Sequence, residues 1–383
     1  MTTSLFVTGM LRSGTTLLDK LLSLHPRIHV FSQPLPLLYV QVKRKFLEIS
    51  QNAQTLGTVI ARYPLNDMFG AHYYEPTDFL AFLERFELSH EFCRQCLAEM
   101  LPFDGQSTKP DDPFRLLRSF RPSSLYAFVS AYANSLVSAG QPLVIGSKET
   151  SGEEYIPYFL ACGGKVLQIL RDPRDVITSL NYGRGSDFGG QLKPHLFNIR
   201  QWRKGVAFAL AHETQAEFLA VRYEDLVQST PQVMNRISEF LGLAEFPPDL
   251  WRGELKSQSG EVWRSNSSHF LASQITSQSV GGYKRHLLQE TDRFVQATCF
   301  HEMQCLGYDV EIEADEVASI LERHGERETL ARPELAFYVW SRGRCEEEQE
   351  RWRRLQARSF APSFFIYERA FSRLSDSRTF GVA

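Results

Sequence analysis

The sequence predicts an α/β protein: a P-loop-type three-layer fold with a central parallel sheet flanked by helices, a large helical insertion and a helical C-terminal segment. Three observations predict it. A glycine-containing loop near the start of the chain lies between an apolar run and a helix-patterned stretch. Further short apolar runs alternate with helical patterns, which is typical of parallel sheets. Positively charged residues follow these runs at four places.

The first element is an apolar run at residues 5–8, which ends in a glycine turn and predicts a buried strand. Residues 15–24 carry leucines at helical spacing, and His25-Pro26 ends that helix. Three further strands are predicted at residues 142–146, 165–170 and 217–221, with helices around residues 155–161 and 175–180.

The strand ends carry cations: Arg12 after the first, Lys148 after the second, Arg171 with Arg174 after the third, and Arg222 beside Tyr223 after the fourth. Ligands of parallel α/β sheets bind at the carboxyl ends of the strands. The pattern therefore predicts a site for an anionic ligand at this edge of the sheet.

Outside the sheet, residues 34–140 form an aromatic-rich, mostly helical insertion that we expect to wall an acceptor pocket. Beyond residue 309 the composition becomes rich in Glu and Arg. Residues 346–359 predict a solvated amphipathic helix with i,i+4 ion pairs, and residues 360–371 are apolar enough to dock. The predicted division is a domain at 1–309 and a C-terminal extension at 310–383 packed on it.

The composition limits which classes of partner the protein is expected to bind. The 383 residues carry a net charge of −3, which gives no general reason to expect nucleic acid or an anionic membrane. No signal peptide or transmembrane stretch is evident, so we expect a cytoplasmic, reduced protein. Cys93 and Cys96 form an isolated CxxC, interpreted as two packing thiols one helical turn apart, since a metal site needs more ligands.

The loop itself has an unusual chemistry. Four residues separate Gly9 from Gly14, as in a P-loop, but Thr15 stands where an NTPase has lysine, and Arg12 is the only cation in the loop. Backbone N–H groups of residues 12–16 at a helix N-terminus suit an anion. Without the lysine or a metal-binding aspartate, the loop favours a 5′-phosphate held without Mg²⁺.

Several motifs together resemble the sulfotransferases that use 3′-phosphoadenosine 5′-phosphosulfate (PAPS). LRSGTTLL, with HP at the helix end, is similar to their 5′-phosphosulfate loop, and ILRDPRDVITSL is similar to their 3′-phosphate site. The resemblance implies PAPS as sulfonate donor and no metal. It implies that the 5′-phosphate is bound by Arg12, Ser13, Gly14, Thr15 and Thr16.

The same resemblance implies that Arg171 and Ser179, eight residues apart, hold the 3′-phosphate; both are suitable donors to a dianion. Tyr223 of VRYEDL would reach the adenine, and Lys148 of IGSKET would lie near the sulfonate. SQSVGGYKRHL is similar to a loop that closes over the 3′-phosphate, and its pairing with WRSNSSHF is most like the branch containing carbohydrate and protein-tyrosine sulfotransferases. The closing residues would be Gly281, Gly282, Tyr283 and Lys284.

The implied reaction is in-line transfer of the sulfonate to a hydroxyl or amine of a small-molecule, glycan or lipid acceptor, with Arg12 and Lys148 neutralising the leaving oxygen. The general base is not where relatives have it: Ser32-Gln33 stands in place of a Glu, and no His follows Lys148.

Three residues are candidates for the general base. Glu149 is first, although neighbours on an extended segment point to opposite faces. His72 is second and Glu153 third. An amine acceptor would need less help from a base.

Two other functions are alternatives to sulfonate transfer. A nucleotide kinase-like phosphotransferase would require a lysine after Gly14 and a metal carboxylate, and neither is evident. A module that binds the nucleotide without transfer is compatible with the missing Glu at Ser32-Gln33. The sequence names neither the acceptor nor the oligomeric state.

Overall fold

The computed structural model of the protein describes residues 2–50, 63–101, 108, 112–119, 121, 124–137, 140–183, 192–247, 250–255, 262, 273–325 and 333–376. Within these residues the strands form one five-stranded sheet in the order β2-β3-β1-β4-β5. They are β1 (Thr3–Gly9), β2 (Ile28–Ser32), β3 (Val144–Thr150), β4 (Lys165–Leu170) and β5 (Phe218–Arg222).

All neighbouring strands are parallel. β1 lies at the centre, where Val7 is in register with Lys148 of β3 and with Leu167 of β4. The carboxyl ends of these strands therefore meet at one edge, which confirms the predicted fold class. The five-residue strand β2 was not predicted. It is short, contains a histidine and follows closely after the end of the first helix.

The helices of the N-terminal half are α1 (Thr15–Leu22), α2 (Pro36–Ser50), α3 (Pro76–Arg85), α4 (His90–Met100), α5 (Leu125–Ser135), α6 (Ile156–Ala161) and α7 (Pro173–Asn181). Those that follow are α8 (His195–His212), α9 (Tyr223–Gln228), α10 (Thr230–Leu241), α11 (Tyr283–His286), α12 (Gln289–Thr298), α13 (Phe300–Cys305), α14 (Val317–Arg323), α15 (Arg342–Gln356), α16 (Pro362–Phe365) and α17 (Glu368–Ser375).

Alternating side chains of β1 separate two apolar layers. Leu5 and Val7 are buried with α1, α9 and α10 on one face of the sheet. Phe6 points to the other face, where its ring stacks on Phe159 at 4.2 Å and joins a larger core with α2, α6 and α8. Because successive strand residues face opposite ways, one apolar strand serves both layers.

The C-terminal helices share that larger core, since Leu355, Phe365 and Phe371 are buried in it. An i,i+4 ion pair of the kind expected for residues 346–359 is present on α15 between Glu350 and Arg354, at 2.8 Å. The interpretation of this helix as solvated is wrong for its inner face. There Glu348 is buried, because α15 packs on α8 and pairs this carboxylate with Arg203.

Two minor predictions concern thiols and membranes. Cys93 and Cys96 are buried on α4, and burial raises the pKa of both thiols to about 12, as suits packing residues. Across the described ranges, the helices are too short or too polar to cross a membrane. The domain boundary at residue 309 and the cytoplasmic location stay predictions.

Candidate active site

The loop between β1 and α1 depends on a glycine. Gly14 precedes α1 with a left-handed backbone, φ +96°. A Cβ atom there would lie 2.4 Å from Cδ2 of Tyr223. The Tyr223 ring thus lies directly on the loop, as required of a residue predicted to reach the adenine. Ser13, Thr15 and Thr16 are all buried around the start of the helix.

Arg12, Arg171 and Ser179 converge beside this loop. Nε of Arg12 donates to Oγ of Ser179 at 2.8 Å. Nη1 of Arg171 donates to the carbonyl of Arg12 at 3.2 Å. The sequence predicts Arg12 at the 5′-phosphate. That role stays a prediction. Arg12 has φ +72°, and its guanidinium contacts Ser179, one of the two residues predicted to hold the 3′-phosphate.

The electrostatics of this cluster favour an anion. Burial and the nearby Arg171 charge lower the pKa of Arg12 to about 10. The only acidic group paired with Arg171 in the described part of the chain is Asp175, at 3.5 Å. Nε of Arg171 has no hydrogen-bond partner among the described residues. The guanidinium groups of Arg12 and Arg171 lie close enough to repel each other, and a phosphate dianion between them would reduce that repulsion.

Asp175 connects this cluster to residues 279–283, a role that the sequence did not reveal. Its carboxylate accepts from the backbone N–H groups of Gly281 and Tyr283, both at 2.9 Å. Nη2 of Arg171 donates to the carbonyl of Ser279 at 2.6 Å. The second Asp of RDPRD was the available signal. The glycine turn at Gly281-Gly282 thus lies beside Arg171.

The other two residues of the predicted closing loop differ in burial. The buried Tyr283 ring lies under the guanidinium of Arg174 at 4.1 Å. Lys284 is exposed, with Nζ 5.8 Å from that ring. Arg174 also pairs with Asp172, the N-cap of α7, so this arginine has a structural role.

Lys148 is fully buried on β3 at the same edge of the sheet. Its Nζ lies 3.7 Å from Oδ2 of Asp19 on α1, and donates to Oε1 of Gln33 at 3.3 Å. Burial lowers the pKa of Lys148. Gln33 also donates through Nε2 to Oγ1 of Thr150 at 3.2 Å. The glutamine that stands where relatives carry Glu therefore contacts the catalytic lysine predicted from the sequence.

Glu149 faces away from Lys148, as strand alternation requires. Oε1 of Glu149 accepts from the backbone N–H of Leu35 at 3.0 Å, and Oε2 has no hydrogen-bond partner among the described residues. Burial raises the pKa of this carboxyl to about 8. A buried carboxyl with one unoccupied oxygen and a pKa near 8 is suited to accept a proton.

A cavity of about 200 Å³ adjoins these side chains. Its lining is largely apolar and includes several polar side chains. The lining residues are Gln33, Pro36, Leu37, Tyr39, Val40, Tyr63, Pro64, Leu65, Asn66, Glu149, Thr150, Ser151 and Gly152. Both Gln33 and Glu149 reach this one cavity from the carboxyl edge of the sheet.

The other two base candidates lie elsewhere. The His72 ring packs on Phe337 at 4.9 Å and is absent from the cavity lining given above. Burial lowers the pKa of His72. Glu153 is fully buried, 3.7 Å from Nζ of Lys204. Neither residue adjoins the described cavity, which leaves Glu149 as the candidate.

In the described ranges, no group of three or more His, Cys, Asp or Glu side chains is arranged to hold a metal ion. The expectation of a metal-free reaction stays a prediction.

The comparisons with known proteins agree with the motifs. A family model described as the sulfotransferase family matches residues 4–248. A search of the curated proteins returned no matching sequence.

Among solved structures, the sulfotransferase domain from the curacin biosynthetic pathway is 16% identical, with a TM-score of 0.43, over 85% of this chain and 99% of that one. Mouse sulfotransferase SULT7A1 complexed with PAP is 14% identical, with a TM-score of 0.39, over 79% and 84%. Retinol dehydratase in complex with retinol and PAP is 16% identical, with a TM-score of 0.36, over 81% and 82%. These scores are too low for a residue-by-residue correspondence.

Proposed function

This chain belongs to the sulfotransferase family, and from that premise we propose that it transfers a sulfonate group from PAPS to a small acceptor bound in the cavity beside Gln33 and Glu149. The observation that carries the donor assignment is the cluster of Arg12, Arg171 and Ser179. These three residues come from the loop after β1, the end of β4 and helix α7.

The cluster fits a 3′-phosphorylated nucleotide. Burial and then repulsion from Arg171 lower the pKa of Arg12, and a phosphate dianion placed between the two guanidinium groups would relieve that repulsion. Gly14 and the buried hydroxyls of Thr15 and Thr16 would hold the 5′-phosphate at the start of α1. Tyr223, which lies on Gly14, would cover the adenine side.

We assign Lys148 and the residues near it separate roles in the transfer step. The acceptor oxygen or nitrogen attacks sulfur, the bond from sulfur to the 5′-phosphate oxygen breaks, and PAP leaves with the electron pair. Lys148 neutralises the charge on the leaving oxygen. Gln33, held by Lys148 and Thr150, orients the acceptor by hydrogen bonding. Glu149 accepts the acceptor's proton.

The cavity favours a compact, partly apolar acceptor. Its apolar lining of Pro36, Leu37, Val40, Pro64 and Leu65 suits a hydrocarbon or aromatic body. The reacting hydroxyl or amine would lie at Gln33 and Glu149, which also line the cavity. A volume of about 200 Å³ favours a small molecule over a glycan chain.

Thermal unfolding with added nucleotides tests the donor site. PAP at 100 times its Kd should stabilise the folded protein by about 2.7 kcal/mol, whereas AMP, which lacks only the 3′-phosphate, should shift the melting temperature far less. Equal shifts with PAP and AMP would remove the role given to the arginine cluster. A shift with ATP-Mg²⁺ alone would instead favour a phosphotransferase.

Transfer itself is tested with PAPS and two nearly isosteric acceptors, 2-naphthol and 2-naphthylamine. Sulfonation of 2-naphthol is expected if Glu149 removes the acceptor's proton, whether or not 2-naphthylamine, which needs less help from a base, is also sulfonated. Turnover of the amine alone would show that the reaction does not depend on that carboxylate. Binding of PAP without turnover of either acceptor would favour a module that binds the nucleotide only.

A further inference from the structure

One wall of the acceptor cavity is formed by residues 63–67, called here the wall segment, of which Tyr63, Pro64, Leu65 and Asn66 line the cavity. The wall segment has no helix or strand of its own. Its position is therefore set by side-chain contacts to neighbouring elements. These contacts lead to α8 and, through α8, to the C-terminal segment at residues 333–376.

Helix α8 contacts the wall segment through the side chains of Gln201 and Lys204. Nδ2 of Asn66 donates to Oε1 of Gln201 at 3.2 Å, and Nε2 of Gln201 donates to Oγ of Ser151 at 2.6 Å. Nζ of Lys204 donates to the carbonyl of Leu65. Two cavity-lining residues from different segments, Asn66 and Ser151, are thus joined through one glutamine of α8.

The C-terminal segment also contacts the wall segment, both directly and through Arg200 of α8. Oδ2 of Asp67 lies 3.4 Å from Nη1 of Arg200, and Nη2 of the same arginine lies 2.7 Å from Oε2 of Glu347 on α15. The Tyr63 hydroxyl donates to Oε1 of Glu334 at 3.3 Å. Both ends of the wall segment therefore contact the C-terminal segment directly or through one arginine.

These contacts are buried and close. The Arg200 side chain is 1% exposed and that of Asp67 is 2% exposed, so this pair is shielded from water. A Cβ atom at Gly70 would lie 2.5 Å from Oε1 of Glu347, which shows how closely α15 approaches the chain just after the wall segment. Without Glu347, Arg200 would lose its shortest ion pair, at 2.7 Å, and would keep Asp67 at 3.4 Å and Glu348 at 3.7 Å.

We propose that the C-terminal segment is part of the acceptor site, with Glu347 and Arg200 as positioning residues that hold the wall segment against the cavity. The inference rests on the proposed function only in treating this cavity as the acceptor site. It gives the extension beyond the residues matched by the family model a defined role: it sets the shape of the acceptor cavity and leaves the nucleotide cluster unaffected.

Glu347→Gln tests the proposal against a matched control, Glu346→Gln. The two glutamates are neighbours on α15, but Glu346 pairs with Arg342 on the solvent face, where its side chain is 62% exposed. Hydrogen–deuterium exchange of the folded full chain should increase at least 5-fold in peptides covering residues 63–72 of Glu347→Gln. It should stay within 2-fold of wild type in Glu346→Gln.

Exchange needs neither nucleotide nor acceptor, so this result stands apart from the proposed function. Unchanged exchange over residues 63–72 in Glu347→Gln would overturn the proposal. If that variant fails to fold, Tyr63→Phe removes the contact to Glu334 and is expected to raise exchange in the same peptides. In the transfer assay, Glu347→Gln should raise KM for the naphthol acceptor about 5-fold and leave KM for PAPS unchanged; an equal rise in both would indicate general loosening and overturn it.

Discussion

The proposed nucleotide side and the proposed acceptor side of this site are built in different ways. The nucleotide side uses residues that follow β1 and β4 directly, and Arg171 and Ser179 lie only eight positions apart along the chain. The acceptor side combines residues 33–40, 63–66 and 149–152, held in place by α8 and the C-terminal segment. A phosphate site follows from strand ends and a helix start, whereas an acceptor cavity follows from the packing of distant segments.

The largest expected effect concerns the acceptor side. Glu149→Gln should slow turnover of the naphthol acceptor at saturation at least ~100-fold, since general-base catalysis typically contributes 10²–10⁴-fold. PAP affinity should be unchanged, because the carboxyl faces the cavity and not the arginine cluster. With a pKa of about 8, Glu149 accepts a proton only when ionised, so wild-type turnover should rise as pH increases through about 8. The variant should lack that rise.

The same variant has a stability consequence with a defined sign. Unfolded, the carboxyl ionises near 4.5, but folded it keeps its proton up to about 8. The folded state therefore binds more protons between these values, and wild-type stability should fall as pH rises through that window. Glu149→Gln should lose less stability there, measured by urea unfolding at pH 5 and pH 8.5. A loss of turnover without this difference would place the carboxyl outside its buried environment.

A second change tests the nucleotide side. Arg171→Ala should weaken PAP binding about 10- to 100-fold, since hydrogen bonds to charged groups contribute about 1.5–3 kcal/mol. AMP binding, measured by isothermal titration calorimetry, should change less than about 3-fold. Equal weakening for both nucleotides would mean that Arg171 acts through the loop at Ser279 and that the two halves of the nucleotide site cannot be separated.

The smallest expected effect comes from the loop glycine. Gly14→Ala should destabilise the fold by at least ~1 kcal/mol, because it adds a left-handed alanine and a clash with the Tyr223 ring. Gly163→Ala is the matched control, since Gly163 also has a positive φ of +77° but its Cβ would meet no atom within 4 Å. Urea unfolding measures both. PAP affinity should fall only in Gly14→Ala; a fall in both would point to backbone strain instead of the ring contact.

The sequence by itself determined the family, the parallel sheet and most of the residues that we propose for the nucleotide. The reason is that these features rest on local patterns: an apolar strand, a glycine turn and a donor at a fixed distance along the next helix. Arg171 and Tyr223 could be named because each follows a recognisable strand end, and Ser179 because it stands eight residues after Arg171 in the motif that resembles the family's 3′-phosphate site. The short strand β2 was not predicted, because a five-residue run that contains a histidine gives only a weak apolar strand pattern.

Tertiary structure decided the rest. Only the fold could bring Arg12 to Ser179, 167 positions away, or place Gln33 against Lys148, 115 positions away. It also separated the three candidate bases: His72 packs on Phe337, Glu153 lies beside Lys204, and Glu149 alone of the three lines the described cavity. Burial raises the pKa of Glu149, and burial is a property of packing that no local pattern encodes.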